Sequence, residues 1–167
     1  MATEGKVPRL TAPPGACDTH MHVYDDRFKL APTSTFKPPR APTAAYLAMR
    51  ARLGLARTVV VQPTGYGFDN ACTLDAMAAM GESARGVAVV APDVAGAELE
   101  RLTKAGIRGI RYFMLPGGLL PWESLDTMAA KVGAFGWHVQ LQLDGRRLPE
   151  HEAALRRLKG TLVIDHN

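Results

Sequence analysis

The chain has 167 residues, 47% of them apolar and 22% charged, so it can bury a sizeable core and is globular rather than disordered. Its net charge of +4 comes from basic residues scattered among acidic ones, which excludes the basic stripe of a nucleic-acid-binding protein. Because no apolar run approaches the roughly 20 residues of a membrane helix and no secretory signal is evident, we expect a cytoplasmic protein.

The first predicted strand, residues 17–22, places two histidines on one face. It follows a polar, proline-rich segment, residues 1–15, that we expect to be a flexible arm. Because residues two apart in a strand point to the same side, His20 and His22 bring two imidazoles together, with Asp18 one pleat deeper. Such a pair can bind a divalent metal or polarise a substrate oxygen. The alternative is that both histidines are solvated at the end of a strand.

A module of one helix and one strand repeats after a long proline-rich loop, residues 25–42. Helices are predicted over residues 43–53, 70–80, 94–104, 122–135 and 150–159, and strands begin near residues 16, 58, 86, 109, 138 and 161. Each helix precedes a glycine placed where a left-handed cap residue is wanted, namely Gly54, Gly86, Gly106, Gly136 and Gly160. Strands that alternate with single helices indicate parallel βαβ units.

The fifth strand distinguishes a barrel from an open sheet. Its faces differ in polarity, with Val139, Leu141 and Leu143 on one side and Gln140, Gln142 and Asp144 on the other. A central strand of an open doubly wound sheet is usually apolar on both faces, so the pattern favours a (β/α)8 TIM barrel with helices outside. Since a closed barrel needs two more units after the sixth strand, we expect residues 16–167 to be the N-terminal portion of such a barrel, an incomplete one. A complete six-stranded open α/β domain is the alternative.

Polar side chains follow several strands at their carboxyl ends, where parallel α/β proteins bind ligands. The set is His20, His22, Gln62, Thr64, Tyr66, Arg111, Gln140, Gln142, Asp144, Asp165 and His166. A guanidinium such as Arg111 can grip a carboxylate in bidentate fashion, although a structural ion pair is its alternative role. For Thr64 and Tyr66, which lie in a glycine-containing loop, the alternative is a role as turn residues. A third histidine at a strand end, His166, is what a metal or oxyanion site needs beside the first pair.

Several motifs resemble the amidohydrolase superfamily, and within it the branch of 2-pyrone-4,6-dicarboxylate lactonase and D-galactarolactone isomerase. They are Asp18-Thr19-His20-Met21-His22, Gln62-Pro63 with Asp69-Asn70, Arg85-Gly86-Val87-Ala88-Val89-Val90, Gly109-Ile110-Arg111 and Ile164-Asp165-His166. The resemblance runs from about residue 16 to the last residue. It implies a distorted (β/α)8 barrel and attack on, or rearrangement of, a lactone ester.

The resemblance also implies roles for individual residues. His20, His22 and His166 would surround and polarise the scissile carbonyl as catalytic residues, and would be the ligands if a metal is bound. Arg111 would hold a substrate carboxylate. The further substrate-binding candidates are Thr64, Gln62, Tyr66 and Gln142. Much of the superfamily uses one zinc or similar divalent ion, whereas this branch commonly works without one. Its general base is an aspartate at the end of the eighth strand, which this chain does not contain.

Three positions depart from the lactonase pattern. Phe36 stands where the lactonase has an aromatic hydroxyl, Gly117 where it has a second arginine, and Gln142 where it has a tyrosine. The loss of a cationic clamp speaks against a pyrone dicarboxylate as the substrate. The runs 115–118 and 142–145 are more similar to the galactarolactone isomerase, which however lacks the first histidine of the pair, present here as His20.

We therefore expect a hydrolase or isomerase acting on a small, carboxylate-bearing sugar-acid or aromatic-catabolite lactone, with little activity in a chain of this length alone. One alternative is a non-catalytic fragment or subunit that completes its barrel with another chain. Another is a metal-dependent amidase or decarboxylase of the same superfamily. The expected partners are a small-molecule lactone or carboxylate substrate, and either further copies of the chain or a complementing C-terminal chain. We expect no nucleic-acid or membrane partner.

Overall fold

Six parallel strands lie side by side in the same order as in the chain. The computed structural model describes residues 8–166, so the first seven residues of the predicted arm, 1–15, and Asn167 lie outside the described residues. The strands are β1 (Cys17–Met21), β2 (Arg57–Val61), β3 (Ala84–Ala88), β4 (Ile107–Phe113), β5 (His138–Gln142) and β6 (Leu162–Asp165). Each begins within two residues of its predicted start.

Five helices connect successive strands and cover the outside of the sheet. They are α1 (Thr43–Leu53), α2 (Ala71–Met80), α3 (Gly96–Lys104), α4 (Leu125–Gly133) and α5 (Leu148–Leu155). The prediction that Gly86 caps a helix is wrong, because the cap residue after α2 is Gly81, which has a positive φ of 59°. Gly86 lies inside β3, where a Cβ would collide with Met77 and Ile107. It is a glycine because a helix and a neighbouring strand pack directly on its backbone.

The sheet curves until its first and last strands approach each other. In a flat sheet, β1 and β6 would be five strand spacings apart, roughly 24 Å. Instead the ring centroids of His20, on β1, and His166, just after β6, are only 4.8 Å apart. The strand order also lacks the reversal that defines a doubly wound sheet. The prediction of a (β/α)8-type wall over six strands is therefore confirmed, and the open-sheet alternative is wrong.

The apolar core lies between the strands and the helices. Its fully buried members include Leu99, Leu102, Ile107, Ile110, Met128 and Leu141. The opposite face of β5 carries Gln140 and Gln142, which hydrogen-bond with side chains of β1 and β4 inside the curve of the sheet. The polar inner face predicted for β5 is therefore present, and it places the polar side chains of neighbouring strands together. Within residues 8–166, none of the helices is long and apolar enough to cross a membrane.

Candidate active site

The two histidines of the first strand meet at the carboxyl end of β1. Their Nε2 atoms are 3.3 Å apart, and their rings are nearly perpendicular. His22 is held by its other nitrogen, because Nδ1–H donates to the carbonyl oxygen of Val61 at 2.7 Å. Burial lowers the pKa of His22 to about 4, so its ring is neutral near pH 7 and carries a lone pair on Nε2. One nitrogen of this pair is therefore fixed as an acceptor.

The sixth strand brings a carboxylate and a third histidine to this pair. Asp165 Oδ1 lies 3.1 Å from His20 Nδ1 and 3.6 Å from His166 Nε2. Burial lowers the pKa of His20, and the charge of Asp165 opposes that shift. His166 is half exposed and has a φ of 55°, alone in the left-handed region among the non-glycine residues of 8–166. Such backbone outliers cluster at functional sites, where the surrounding structure holds them.

Arg111 of β4 supplies a buried positive charge to the same interior. The residue is 4% exposed, and its Nη1 donates to the backbone oxygen of Gln62 at 3.1 Å. Its Nη2 donates to Gln142 Oε1 at 2.7 Å and lies 3.9 Å from Asp165 Oδ2. Burial lowers the pKa of Arg111 from its usual value, while Asp165 opposes the shift. An arginine stays protonated in proteins, so the cation is present next to the histidines.

Three buried polar atoms around this cluster have no hydrogen-bond partner within the described chain. They are Arg111 Nε, Gln140 Oε1 and Asp165 Oδ2. A buried donor or acceptor left unpaired costs about 1–3 kcal/mol, so folded proteins rarely tolerate several together. A small cavity lined by Thr64, Phe113 and Leu119 also opens on Arg111. Unpaired donors and acceptors of this kind are what a polar ligand would satisfy.

Two of the predicted substrate-binding side chains are turned away from this cluster. Gln62 uses its side chain inside the following loop, where Nε2 donates to the carbonyl oxygen of Asp69 at 2.8 Å and Oε1 accepts from Thr73. The hydroxyl of Tyr66 is buried and accepts from the backbone N–H of Asp25 at 3.0 Å. The two side chains therefore stabilise the loops that follow β1 and β2. Gln62 contacts Arg111 only through its backbone oxygen. Thr64 lines the cavity beside Arg111, and its contact with a substrate stays a prediction.

Asp165 was predicted among the polar residues at the strand ends, but it was given no catalytic, substrate-binding or metal-binding role. It pairs in register with Gln142 of β5, so its side chain follows Val163 on the inner face. The structure shows this through the register, because a residue aligned with an inward glutamine must itself point inward. The predicted metal set was His20, His22 and His166, whereas the structure groups His20, Asp165 and His166, each with one donor atom within 4.8 Å of the others.

Nitrogen and carboxylate donors of this kind fit a divalent ion such as zinc. The 3.3 Å between the Nε2 atoms of His20 and His22 also suits two ligands of one tetrahedral ion, which at about 2.05 Å from the metal stand roughly 3.3 Å apart. The residues present therefore fit the divalent ion that the resemblance implies.

Comparisons with known proteins connect this geometry with a family. The family model described as Amidohydrolase matches residues 17–167. A 2-pyrone-4,6-dicarbaxylate hydrolase of Comamonas testosteroni is 37% identical over 95% of this chain and 53% of its own length. A D-galactarolactone isomerase of Agrobacterium fabrum is 33% identical over 98% of this chain and 56% of its own length. The chain spans about half the length of the curated relatives it matches.

Solved structures give the same result for the fold. An apo crystal structure from Agrobacterium tumefaciens superposes with a TM-score of 0.87 and 31% identity, over 93% of this chain and 57% of that one. A probable 2-pyrone-4,6-dicarboxylic acid hydrolase from Acinetobacter baumannii, with citric acid bound, superposes with a TM-score of 0.81 and 26% identity, over 91% of this chain and 58% of that one.

Proposed function

The chain belongs to the amidohydrolase family, and from that premise we propose that it forms the ligand-binding wall of a hydrolase or isomerase acting on a small lactone with a carboxylate. The names of its relatives, which include a dicarboxylate hydrolase and a lactone isomerase, support this substrate class. A sugar-acid or pyrone lactone fits, since both carry a ring ester and a carboxylate.

The observation that carries the proposal is the buried, incompletely paired guanidinium beside the histidine cluster. Arg111 is 4% exposed and its Nε lacks a partner within the described chain, so it offers a donor to an incoming anion. A guanidinium binds a carboxylate through two parallel hydrogen bonds, which fixes the orientation of the ligand as well as its charge. A carboxylate held there would direct the ring ester of the same molecule toward His20 and His22.

The histidines would act on the ester carbonyl. The Nε2 atoms of His20 and His22 lie 3.3 Å apart, so a proton taken from the attacking water or substrate hydroxyl can be shared between them and makes the pair positive. A positive pair would stabilise the negative charge that develops on the carbonyl oxygen as water or a substrate alkoxide attacks. When bound, a divalent ion held by His20, Asp165 and His166 would supply Lewis-acid polarisation of the same carbonyl.

The first test compares Arg111→Gln with Arg108→Gln in lactone opening. Arg108 is the matched control, because it lies near the opposite end of β4 and donates to the backbone oxygens of Thr103 and Ile107. For 2-pyrone-4,6-dicarboxylate or D-galactarolactone, we expect Arg111→Gln to lower kcat/KM about 100-fold, as for a lost buried charge contact. For a lactone without a carboxylate, the change should be much smaller.

Binding provides the same test if turnover by this chain is too slow to follow. Titration calorimetry with citrate, a carboxylate probe, should show heat with the wild type and with Arg108→Gln, and none with Arg111→Gln. Equal citrate binding by the wild type and Arg111→Gln would contradict the proposal. So would equal kcat/KM values for lactones with and without a carboxylate.

The open edge of β6 favours a second candidate, a subunit that completes its barrel with another chain. Among the described residues, β6 pairs only with β5. A groove of about 490 Å³ runs beside it, lined largely by apolar side chains such as Leu148, Leu155 and Ile164. A stable partner of about 100 residues, found by mass measurement of the purified protein, would support this candidate.

The nitrogen and carboxylate donors of His20, Asp165 and His166 favour a third candidate, a metal-dependent amidase or decarboxylase. Elemental analysis that finds one tightly held divalent ion per chain would support it.

A further inference from the structure

Asp165 contacts three residues of the candidate site and has no role in the proposed reaction apart from metal binding. Its side chain is 9% exposed. Oδ1 lies 3.1 Å from His20 Nδ1, and Oδ2 lies 3.9 Å from Arg111 Nη2. The distances rank these contacts, because 3.1 Å is within hydrogen-bonding distance and 3.9 Å is only an ion-pair distance. Its principal partner is therefore His20 rather than the arginine.

The tautomer of His22 is fixed by its own contact. A carbonyl oxygen can only accept, so Nδ1 of His22, 2.7 Å from the Val61 oxygen, carries the hydrogen. A neutral His22 then has a lone pair at Nε2, directed at His20 Nε2. What His20 presents at that position depends on its own Nδ1.

His20 Nδ1 faces two side chains with opposite demands. The carboxylate of Asp165 lies at 3.1 Å and accepts, whereas Gln140 Nε2 lies at 3.4 Å and donates. The carboxylate contact is shorter and involves a charged acceptor, so it favours a hydrogen on Nδ1 of His20. Gln140 fits that choice, because its Oε1 has no other partner and a turned amide would place this oxygen on the same N–H.

We propose that Asp165 is a positioning residue that holds His20 as the Nδ1–H tautomer, so that His20 of β1 and His22 directly after it present an Nε2 acceptor to the same point. This inference rests on the proposed function for its catalytic meaning and on the three contacts for its geometry. Two acceptors 3.3 Å apart cannot bond to each other, and they converge on an incoming hydrogen, such as that of an attacking water. Without the carboxylate, Gln140 would donate to Nδ1, the hydrogen would move to His20 Nε2, and the two histidines would bond to each other instead.

The test reads the tautomers directly. Protein labelled with ¹⁵N-histidine and dialysed against a chelator is measured by long-range ¹H–¹⁵N correlation near pH 7.5. The resonances of His20 and His22 are assigned by single substitution to Gln. We expect the Nδ1–H form for both residues in the wild type. In Asp165→Asn, His20 should change to the Nε2–H form while His22 stays unchanged. Asp144→Asn is the matched control, because Asp144 follows the neighbouring strand and binds Arg146 rather than a histidine. It should leave both tautomers as in the wild type.

Two results would overturn the inference. One is a wild-type His20 in the Nε2–H form, which needs no variant and so does not depend on whether Asp165→Asn folds. The other is a folded Asp165→Asn protein in which His20 keeps its Nδ1–H form, since Asp165 would then act only as a countercharge to Arg111. Lactone turnover is measured separately on the same samples. Failure of the wild type to open or bind any carboxylate-bearing lactone counts against the proposed function and leaves the tautomer result standing.

Discussion

Gly118, in the loop after β4, occupies a position where the backbone leaves no room for a side chain. A Cβ there would collide with the carbonyl oxygen of Phe113 and lie 3.3 Å from that of Leu115. Both neighbours are backbone atoms and cannot rotate away. We expect Gly118→Ala to lower the free energy of unfolding by about 2 kcal/mol, as in other overpacked sites. Urea denaturation followed by circular dichroism measures the change.

Gly133, the last residue of α4, is the matched control for this substitution. No atom lies within 4 Å of a Cβ built there, and its φ is not positive. Gly133→Ala should therefore raise the free energy of unfolding by about 0.5–1 kcal/mol, the usual gain in a helix. If the two variants had equal stability, the close approach at Gly118 would not constrain the loop.

At the scale of single residues, strand alternation predicts the strand residues of the site, whereas the loop residues depend on local geometry that the sequence does not show. His20 and His22 could be predicted to share a face, because the period of two along a strand fixes direction, and Arg111 was assigned to the site from its position near the carboxyl end of a parallel strand. Gln62 and Tyr66 could not be assigned in this way. Gln62 directly follows β2 and Tyr66 lies in the next turn, where local hydrogen bonds with Asp69, Thr73 and Asp25 decide the orientation of the side chains. Those partners depend on a backbone path that periodicity does not describe.

At the scale of elements, the first residue of β5 makes stability depend on pH. The His138 ring packs over Gly109 of β4, where any Cβ would collide with it. Burial lowers the pKa of His138 below its usual 6.5, and a hydrogen bond with the Arg108 backbone opposes this only in part. Between the folded pKa and 6.5, the unfolded chain binds more protons, so stability is retained above 6.5 and falls as the pH drops.

We therefore expect the urea midpoint of the wild type to fall between about pH 7 and about pH 5, and His138→Gln to show a smaller fall. The comparison cancels the contribution of groups that the variant does not change. If the urea midpoints of the two proteins fell equally with pH, His138 would be solvated in the folded state. A larger slope for the variant would mean that the folded protein prefers the protonated ring.

Element types were predictable here and element ends were less so. The predicted starts of the strands lie within two residues of the observed starts, because a glycine and a change in hydrophobic period mark them. The fifth helix was predicted over 150–159 but runs from Leu148 to Leu155, with Pro149 inside its first turn. The fourth was predicted from residue 122, where a 3-10 turn, Trp122–Ser124, precedes the α-helix. Short 3-10 turns and the first turns of α-helices have similar amino-acid composition, so the sequence does not distinguish them.

At the scale of the whole molecule, curvature is what makes a site out of scattered residues. The polar inner face of β5 predicted a barrel wall, but the closeness of the ends of β1 and β6 depends on the accumulated twist of all six strands. This explains why Asp165 was missed as a partner of His20. The two residues are 145 positions apart in the chain, from 165 − 20, and no local pattern links them.

The open edge of β6 leads to a prediction about association. Val163 is 39% exposed on this strand, and its backbone has no strand partner on the outer side within the described residues. Such an edge pairs readily with another chain, and a lysine on it blocks pairing. We expect the weight-average mass of the 167-residue chain in sedimentation experiments to rise with concentration, and Val163→Lys to remove most of that rise.

The control for that experiment makes the same change of apolar residue to lysine away from the sheet edge. Leu10 is 83% exposed and lies before the first strand, so Leu10→Lys alters net charge equally without touching β6. If Leu10→Lys suppressed association as strongly as Val163→Lys, general charge repulsion rather than edge pairing would explain the effect. A wild-type mass that stays at the monomer value over the whole concentration range would show that the edge does not pair, because the curve of the wall or its polar inner face keeps a second copy away.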